Sequence, residues 1–388
     1  MAQHAPAVHE PLLHLSKRAE ITPVKAWMIR ILSIVLALIV CGLAAFILID
    51  RLRERPGEIG KFYYAFIKGS FTSSYRFWKF IKDLAILLAI ALALTPAFRM
   101  HFWNTGAEGQ TLVGVLGAIA VNFYLGGLKN ADGSAVVPEG LLLILMLLAA
   151  LFSGAVWAVI PAVFKARWNT NETLFTLMMN YVAIYLVQCM LAVWVKSGSG
   201  SLPKLETGRL PVLRIPGIDS DYLLIILVVL VTTVALHIYL NYSKHGYEIS
   251  VVGESARTAQ YVGISVPKVI IRTLLLSGVM CGLVGFLIAA GLDHSVTKDA
   301  VGGRGFTAIM VAWLAKFNPI GMVISAGLIQ VLHQGADQLS TDFGLRGAFP
   351  EVFVGIILFF VIGSEFFINY EVHFRGASRA ANKEAGIK

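Results

Sequence analysis

Apolar runs about as long as a membrane-spanning helix recur along the chain, and they restrict the folds open to it. A helix that crosses a bilayer needs about 20 mostly apolar residues, and in lipid the backbone must satisfy its own hydrogen bonds. Hydrophobic residues make up 57% of the 388 residues and charged residues only 14%, whereas soluble domains carry about 25% charged residues. The sequence therefore predicts an all-α, polytopic transmembrane helical bundle.

About ten spans are predicted, with both termini in the cytoplasm. The runs lie at residues 27–49, 84–98, 111–125, 141–163, 173–195, 222–240, 269–290, 306–315, 320–332 and 352–367. Cationic residues before the first run and after the last favour the cytoplasmic side. The predicted organisation is a cytoplasmic segment at 1–26, a membrane domain at 27–370 and a cytoplasmic tail at 371–388. Span parity places residues 50–83 outside, although their Arg and Lys content opposes that side.

Motifs of nucleotide binding and catalysis do not occur in the sequence. It has no G-x-x-x-x-G-K-[ST], no H-E-x-x-H and no G-x-S-x-G. Cys41, Cys189 and Cys281 each lie in an apolar run and form no metal-type spacing. We expect no catalytic residue, no metal and no cofactor in this chain. The net charge of +9 forms no basic stripe, so we expect no nucleic-acid partner, and the lipid bilayer is the expected surrounding.

Short predicted spans are interrupted by polar residues at two places, at spans two and three around "NTGAEGQ" (104–110) and at spans eight and nine around "GGRGF…KFNP" (302–319). Broken helices are tolerated in membranes only where they are buried in protein or line a cavity. Polar groups at membrane depth are candidates for a transport path. The predicted path residues are Asn104, Gly106, Glu108, Gln110, Asn180, Gly305 and Phe306. An alternative for Glu108 is a structural role with Asn104 at the opening of the third span, because a carboxylate suits a helix N-terminus.

Small residues recur one helical turn apart in the run at 269–290. They are Gly278 with Gly282, and Gly285 with Ala289. In lipid, such residues let two helix backbones approach each other closely. The spacing predicts a tightly packed helix and says nothing further about function.

A polar segment, "HGYEISVVGESARTAQYVGISVPKV" (245–269), separates two long apolar runs. Within it, "ESARTAQYVGI" predicts a helix of about two turns, with Glu254 in its first turn and Gly263 as a left-handed C-terminal cap. The apolar residues Tyr261 and Ile264 favour docking to a soluble cytoplasmic partner. An interfacial helix on lipid headgroups is the alternative, against which the low cationic content of the segment weighs.

Four motifs in order resemble those of nucleoside-type ABC importer permeases, within the broader branched-chain amino-acid/ribose permease family. They are "NTGAEGQ" (104–110), "NETLFTLMMNYVA" (171–183), "GYEISVVGESARTAQYVGI" (246–264) and "GGRGFTAIMVAWLAKFNPIG" (302–321). The sequence departs from the family pattern at Ser250 and Ser255, where Arg and Asn are usual, and at Ala315-Lys316, where small residues are common. These departures bear on the substrate more than on the family.

The resemblance implies a coupling helix in the polar loop at 243–268, seated in a groove of a separate ABC ATPase subunit that binds the ATP. The residues assigned to this ATPase-coupling loop are Gly246, Tyr247, Gly253, Glu254, Ala256, Arg257, Ala259, Tyr261, Gly263 and Ile264. The implied partners also include a second permease subunit, identical or paralogous, and an extracytoplasmic substrate-binding protein. The implied location is the bacterial cytoplasmic (inner) membrane.

The predicted function is a permease subunit that carries a nucleoside, with simple sugars or riboflavin-like compounds next. An ion-coupled secondary transporter of a small polar solute is the alternative, because such proteins also use broken helices. A membrane enzyme is a third candidate, against which the absence of a catalytic constellation counts.

Overall fold

A computed structural model of the protein describes residues 13–18, 21–49, 54, 56–69, 71–128, 135–196, 200–214, 216, 220–344 and 349–374. The helices are α1 (Pro23–Leu48), α2 (Ile59–Lys68), α3 (Ser74–Arg99), α4 (Ala107–Val121), α5 (Glu139–Trp168), α6 (Glu172–Trp194), α7 (Leu223–Tyr242), α8 (Lys244–Glu254), α9 (Ala256–Tyr261), α10 (Val266–Ile288), α11 (Arg304–Leu314), α12 (Pro319–Phe343) and α13 (Phe349–Asn369). Two strands, β1 (Leu13–Lys17) and β2 (Tyr370–Phe374), accompany them.

Eight helices in the described part of the chain are long and apolar enough to cross a membrane. They cover Val24–Ile47, Ser74–Arg99, Ala107–Gly126, Glu139–Trp168, Glu172–Trp194, Leu223–Tyr242, Val266–Asp293 and Val352–Asn369. The predicted polytopic helical bundle is therefore confirmed. Helices α11 and α12 occupy the positions of the other two predicted runs, so the count of ten spans and the side of each terminus stay predictions. Most of the segment 1–26 and of the tail 371–388 lies outside the described residues.

The chain divides into two compact units, and the smaller one contains both ends of the described chain. In it, β1 and β2 pair antiparallel, an element that the all-α prediction did not include. Helices α1 and α13 pack together, and Arg30 of α1 pairs with Glu365 of α13 at 2.6 Å. Because both side chains are only partly exposed, this ion pair accounts for a carboxylate late in the last apolar run.

The larger unit, Phe71–Val331, is built around α10, which packs on α4 and α5. A β-carbon added to Gly278 would lie 2.5 Å from the backbone oxygen of Gly154 in α5, and one on Gly282 would collide with the backbone of Ala150. The prediction of close helix packing at these small residues is confirmed. The backbones approach because glycine has no side chain to separate them.

The predicted helix breaks are also present in this unit. Residues 100–106 between α3 and α4 are non-helical, and Lys316 and Phe317 take positive φ angles of 50° and 58° between α11 and α12. The predicted start of the second span at residue 84 was wrong, because α3 begins at Ser74. The four charged residues within 76–83 hid this start from an argument based on apolar runs. The local signal is Ser73, which caps the helix by accepting from the Arg76 N–H.

Candidate functional site

The Glu108 carboxylate joins the two broken segments. It is 8% exposed, and its Oε1 accepts from the Gly303 N–H at 2.8 Å and its Oε2 from the Gly305 N–H at 2.7 Å. These two N–H groups belong to the N-terminus of α11, which otherwise lacks intrahelical acceptors for them. The carboxylate suits the positive end of the helix dipole. The structural alternative for Glu108 was therefore right in kind, but the helix that it caps is α11 rather than its own helix α4.

Asn104 and Gln110 form a second buried cluster. The Asn104 Oδ1 accepts from the Gly106 N–H at 3.0 Å and from the Gln110 Nε2 at 3.2 Å. The Asn104 Nδ2 donates to the Ser277 Oγ of α10 at 3.2 Å. Both amide side chains are almost fully buried, and buried polar groups are stable only when they are hydrogen-bonded. The cluster thus fixes the non-helical segment against α10.

Asn180 of α6 holds the same segment from the other side. Its Oδ1 accepts from the Gly109 N–H at 2.9 Å, and its Nδ2 donates to the Thr105 oxygen at 2.9 Å. Thr176, one turn earlier, accepts from the Thr105 N–H at 3.1 Å. These side chains satisfy backbone groups that a break in a helix leaves without partners. A solute could reach them only if the segment opened, so their role as path residues stays a prediction.

The remaining predicted path residues differ in accessibility. A β-carbon on Gly305 would collide with the Glu108 backbone, and one on Gly106 would lie 3.1 Å from the Asn104 Oδ1. Phe306, by contrast, is 43% exposed. The structure therefore brings six of the seven predicted residues into one closely packed region and leaves the Phe306 ring at its surface.

Sequence reasoning missed one charged pair beside this region. Asp83 of α3 is 6% exposed and lies 3.3 Å from the Arg304 guanidinium in the first turn of α11. Lys82 approaches the same carboxylate at 3.2 Å. The pair was missed because residues 50–83 were assigned to an external loop. A lysine–aspartate pair at the edge of an apolar run was the only signal, and it does not identify a partner 221 residues away.

The polar loop contains two helices rather than one. Ser243 caps α8 by accepting from the Gly246 N–H, and Ser255 caps α9 by accepting from the Thr258 N–H. The predicted short helix is confirmed as α9, and Gly263 has the expected left-handed backbone, with φ of 82°. The placement of Glu254 in its first turn was wrong. Glu254 is the last residue of α8, because the extended backbone of Ser255 separates the helices.

Helix α8 is fastened to the end of α3. The His101 Nδ1 lies 2.5 Å from the Gly253 oxygen, and a β-carbon on Gly253 would collide with the Arg99 oxygen. A β-carbon on Gly246 would similarly collide with the Leu240 backbone. Because residue 101 is followed at once by the segment that holds Asn104, the loop is linked through a few residues to the buried cluster.

The far end of α9 extends into solvent. Tyr261 is 95% exposed, and the neighbouring Val262 is also exposed, whereas Ala259 is fully buried. Of the other coupling-loop candidates, Tyr247, Glu254, Ala256, Arg257 and Gly263 are exposed, Gly246 and Gly253 are buried, and Ile264 is half-buried. A cavity of about 260 Å³ beside this end is lined by residues that include Lys244 and Lys268, together with Arg272 and Glu248, which lie 3.6 Å apart. An apolar tip next to cationic groups is a surface suited to a protein partner.

The chain is similar to permeases of known transporters. A family model described as "Branched-chain amino acid transport system / permease component" matches residues 78–362. The guanosine ABC transporter permease protein NupP of Bacillus subtilis is 31% identical over 86% of this chain and 93% of its own length. The glucose ABC transporter permease protein TsgB13 of Haloferax volcanii is 30% identical over 78% and 80%. The nucleoside ABC transporter permease protein NupB of Lactococcus lactis is 25% identical over 72% and 77%. No solved structure matches the chain.

Proposed function

Because the chain belongs to the permease-component family of branched-chain amino acid transport systems, we propose that it carries a nucleoside, or a related small solute such as a simple sugar, as an ABC importer permease subunit. The relatives named for guanosine, nucleosides and glucose support this range of solutes. The multi-pass helical architecture fits such a role. We place the protein in a bacterial cytoplasmic membrane and assign it no catalytic step of its own.

The observation that carries the proposal is the exposed end of α9 together with its link to the membrane interior. Tyr261 extends into water with 95% of its surface exposed, at a cost that a docked partner would remove. Gly253 fastens the preceding helix to Arg99 and His101. A force applied to α9 by an ATPase subunit would therefore reach the buried cluster at Asn104 through a short, packed segment.

The partners follow from this role. A separate ATPase subunit would bind ATP and dock on the loop at 243–268, so the chain itself would need no cofactor. A second permease subunit, identical or paralogous, would complete the path, and an extracytoplasmic binding protein would deliver the solute. Lys244 and Lys268, which line the cavity, suit acidic side chains on the ATPase surface.

The proposal is tested by comparing two tyrosine variants in the tagged protein, purified from its native membrane in mild detergent. Tyr261→Ala removes an exposed side chain on α9, and the matched control Tyr75→Ala removes one that is 71% exposed on α3. We expect the wild type and Tyr75→Ala to co-purify with a P-loop ATPase and to support nucleoside uptake. Tyr261→Ala should lose both.

Retention of the ATPase and of full uptake in Tyr261→Ala would refute the coupling role. Solute uptake by the isolated chain in liposomes, driven by an ion gradient, would instead favour a secondary transporter. The two failures are distinct, because the first is read in the assembled complex and the second in the absence of any ATPase.

A further inference from the structure

One face of α6 carries polar and aromatic side chains that are exposed in the subunit. Tyr181 and Tyr185 are 53% and 67% exposed, and Gln188 is also exposed. Their i, i+4, i+7 spacing places them on one side of the helix, away from the buried Asn180 and Val187. None of the three makes a hydrogen bond within the residues that the structure describes.

This face lies at the depth of the hydrocarbon core. Helix α6 has 23 residues, which at 1.5 Å per residue span about 35 Å, and its middle is at Ala183. Tyr181 and Tyr185 lie about 3 Å from that middle along the axis, and Gln188 about 7.5 Å. Tyrosine favours the membrane–water interface, and an amide finds no hydrogen-bonding partner among lipid tails. Direct contact with lipid is therefore a poor environment for this face.

The surfaces of the same subunit that suit lipid are different in composition. On α6 itself, Val182, Leu186 and Val193 are exposed on an adjacent side of the helix. On α7, the exposed large side chains before the terminal Tyr242 are aliphatic; they are Leu227, Leu230, Val231, Val234 and Ile238. The tyrosines and the glutamine thus depart from a consistent aliphatic pattern, which indicates that water or another polar surface covers them.

The buried amide side chains behind α6 are already hydrogen-bonded within the subunit. The Asn180 Oδ1 accepts from the Gly109 N–H, and its Nδ2 donates to the Thr105 carbonyl oxygen. Asn104 is hydrogen-bonded to Gln110 and Ser277. The exposed face of α6, by contrast, carries polar side chains near the middle of the helix that a solute could contact directly.

We propose that Tyr181, Tyr185 and Gln188 form a wall of the solute path and contact a planar nitrogen heterocycle of the nucleobase type. This inference rests on the proposed function and deepens it. The two phenol rings offer flat faces for stacking, and every base has a flat face to stack on an aromatic ring. The Gln188 amide both donates and accepts, as the edge of a base requires. The path then runs between this face and the second permease subunit.

The test measures access of a charged, water-soluble methanethiosulfonate reagent to single cysteines in the assembled transporter. The background is Cys189→Ser, because Cys189 is the exposed native cysteine, whereas Cys41 and Cys281 are buried. Tyr185→Cys reports on the proposed wall, and Leu186→Cys is the control on the aliphatic side. A water-filled path predicts labelling of Tyr185→Cys at least about tenfold faster, because lipid excludes the reagent and keeps the thiol protonated. A nucleoside should slow this labelling and glucose should not.

Equally slow labelling of the two cysteines would overturn the proposal, since it would place Tyr185 in lipid or in a dry contact. Fast labelling without protection by nucleoside would overturn the solute contact. A second pair of variants is read by uptake. Tyr185→Leu should raise the KM for nucleoside roughly tenfold, as expected for a lost stacking contact, while Tyr185→Phe keeps the ring and should stay near the wild type.

Failure of the proposed function gives a different result. An assembled wild type that takes up neither nucleosides nor sugars would refute transport, whereas the labelling contrast between positions 185 and 186 needs no transport. Uptake of sugars without nucleosides would overturn the nucleobase assignment alone and would leave the permease role intact.

Discussion

Replacing Glu108 tests whether its carboxylate holds the two broken helices together. Glu108→Ala removes both acceptors of α11, and hydrogen bonds to a charged group contribute about 1.5–3 kcal/mol each. Gly305 is buried, so its N–H would lose the full amount, whereas Gly303 is only partly buried and water can replace about half of its loss. The sum is about 2–4.5 kcal/mol. Glu108→Gln keeps one acceptor oxygen and should cost about 1–2 kcal/mol.

The assay is thermal unfolding of the purified protein in detergent, followed by loss of the monodisperse chromatographic peak. At about 2 °C per kcal/mol, Glu108→Ala should lower the midpoint by about 4–9 °C and Glu108→Gln by about 2–4 °C. Glu139→Ala is the matched control, because Glu139 also lies in the first turn of a helix but is exposed. A shift in Glu108→Ala no larger than in this control would refute the reasoning.

Three further predictions follow from the packing and from one titrating group. Gly282→Leu should force α10 away from α5, since an added β-carbon would collide with that helix, and should lower the free energy of unfolding by about 1–3 kcal/mol in the same thermal assay. Gly253→Ala should still retain the ATPase in a pull-down but should lose most solute uptake, because the added β-carbon would displace the end of α3. Unchanged uptake would contradict the coupling of α8 to α3. Burial, and then nearby cationic side chains, lower the pKa of His294 below its usual 6.5. The unfolded chain therefore takes up this proton first, so stability present above pH 6.5 should fall as the pH drops below that value, and His294→Gln should flatten that fall in thermal scans.

The sequence was sufficient wherever local chemistry decides the structure. The small residues at 278 and 282 predicted a close helix contact, and glycine at 263 predicted a left-handed cap, because both depend on the absence of a side chain at that position. The family was predicted from four ordered motifs and is confirmed by the match over residues 78–362. The start of α3 and the whole of α8 were missed, since charged and small residues inside a helix interrupt the apolar pattern on which the prediction relied.

The candidate site was predictable in membership but not in connection. That Glu108 lies at membrane depth can be read from its position in the chain, yet its partners at residues 303 and 305 are almost 200 positions away. A single sequence does not show which residues so far apart in the chain contact each other. The same holds for Asp83 with Arg304, because each residue looks like a helix-end charge until the fold places the two side chains together.

Polar residues in the membrane region are of two kinds: some are hydrogen-bonded inside the fold, and others are exposed on its surface. Only the structure shows which residue belongs to which kind. Asn180 and Gln188 are both amides on α6, and the sequence alone does not show which of them could contact a solute. Asn180 faces α4, and its amide hydrogen-bonds to backbone groups that a broken helix leaves without partners. Its presence is therefore explained by folding alone. Gln188 points away from the subunit, and no described contact within the chain accounts for an amide at that depth. A polar side chain that makes no hydrogen bond within the described fold indicates a polar surface outside it, and on this ground we propose that Gln188 faces the solute path.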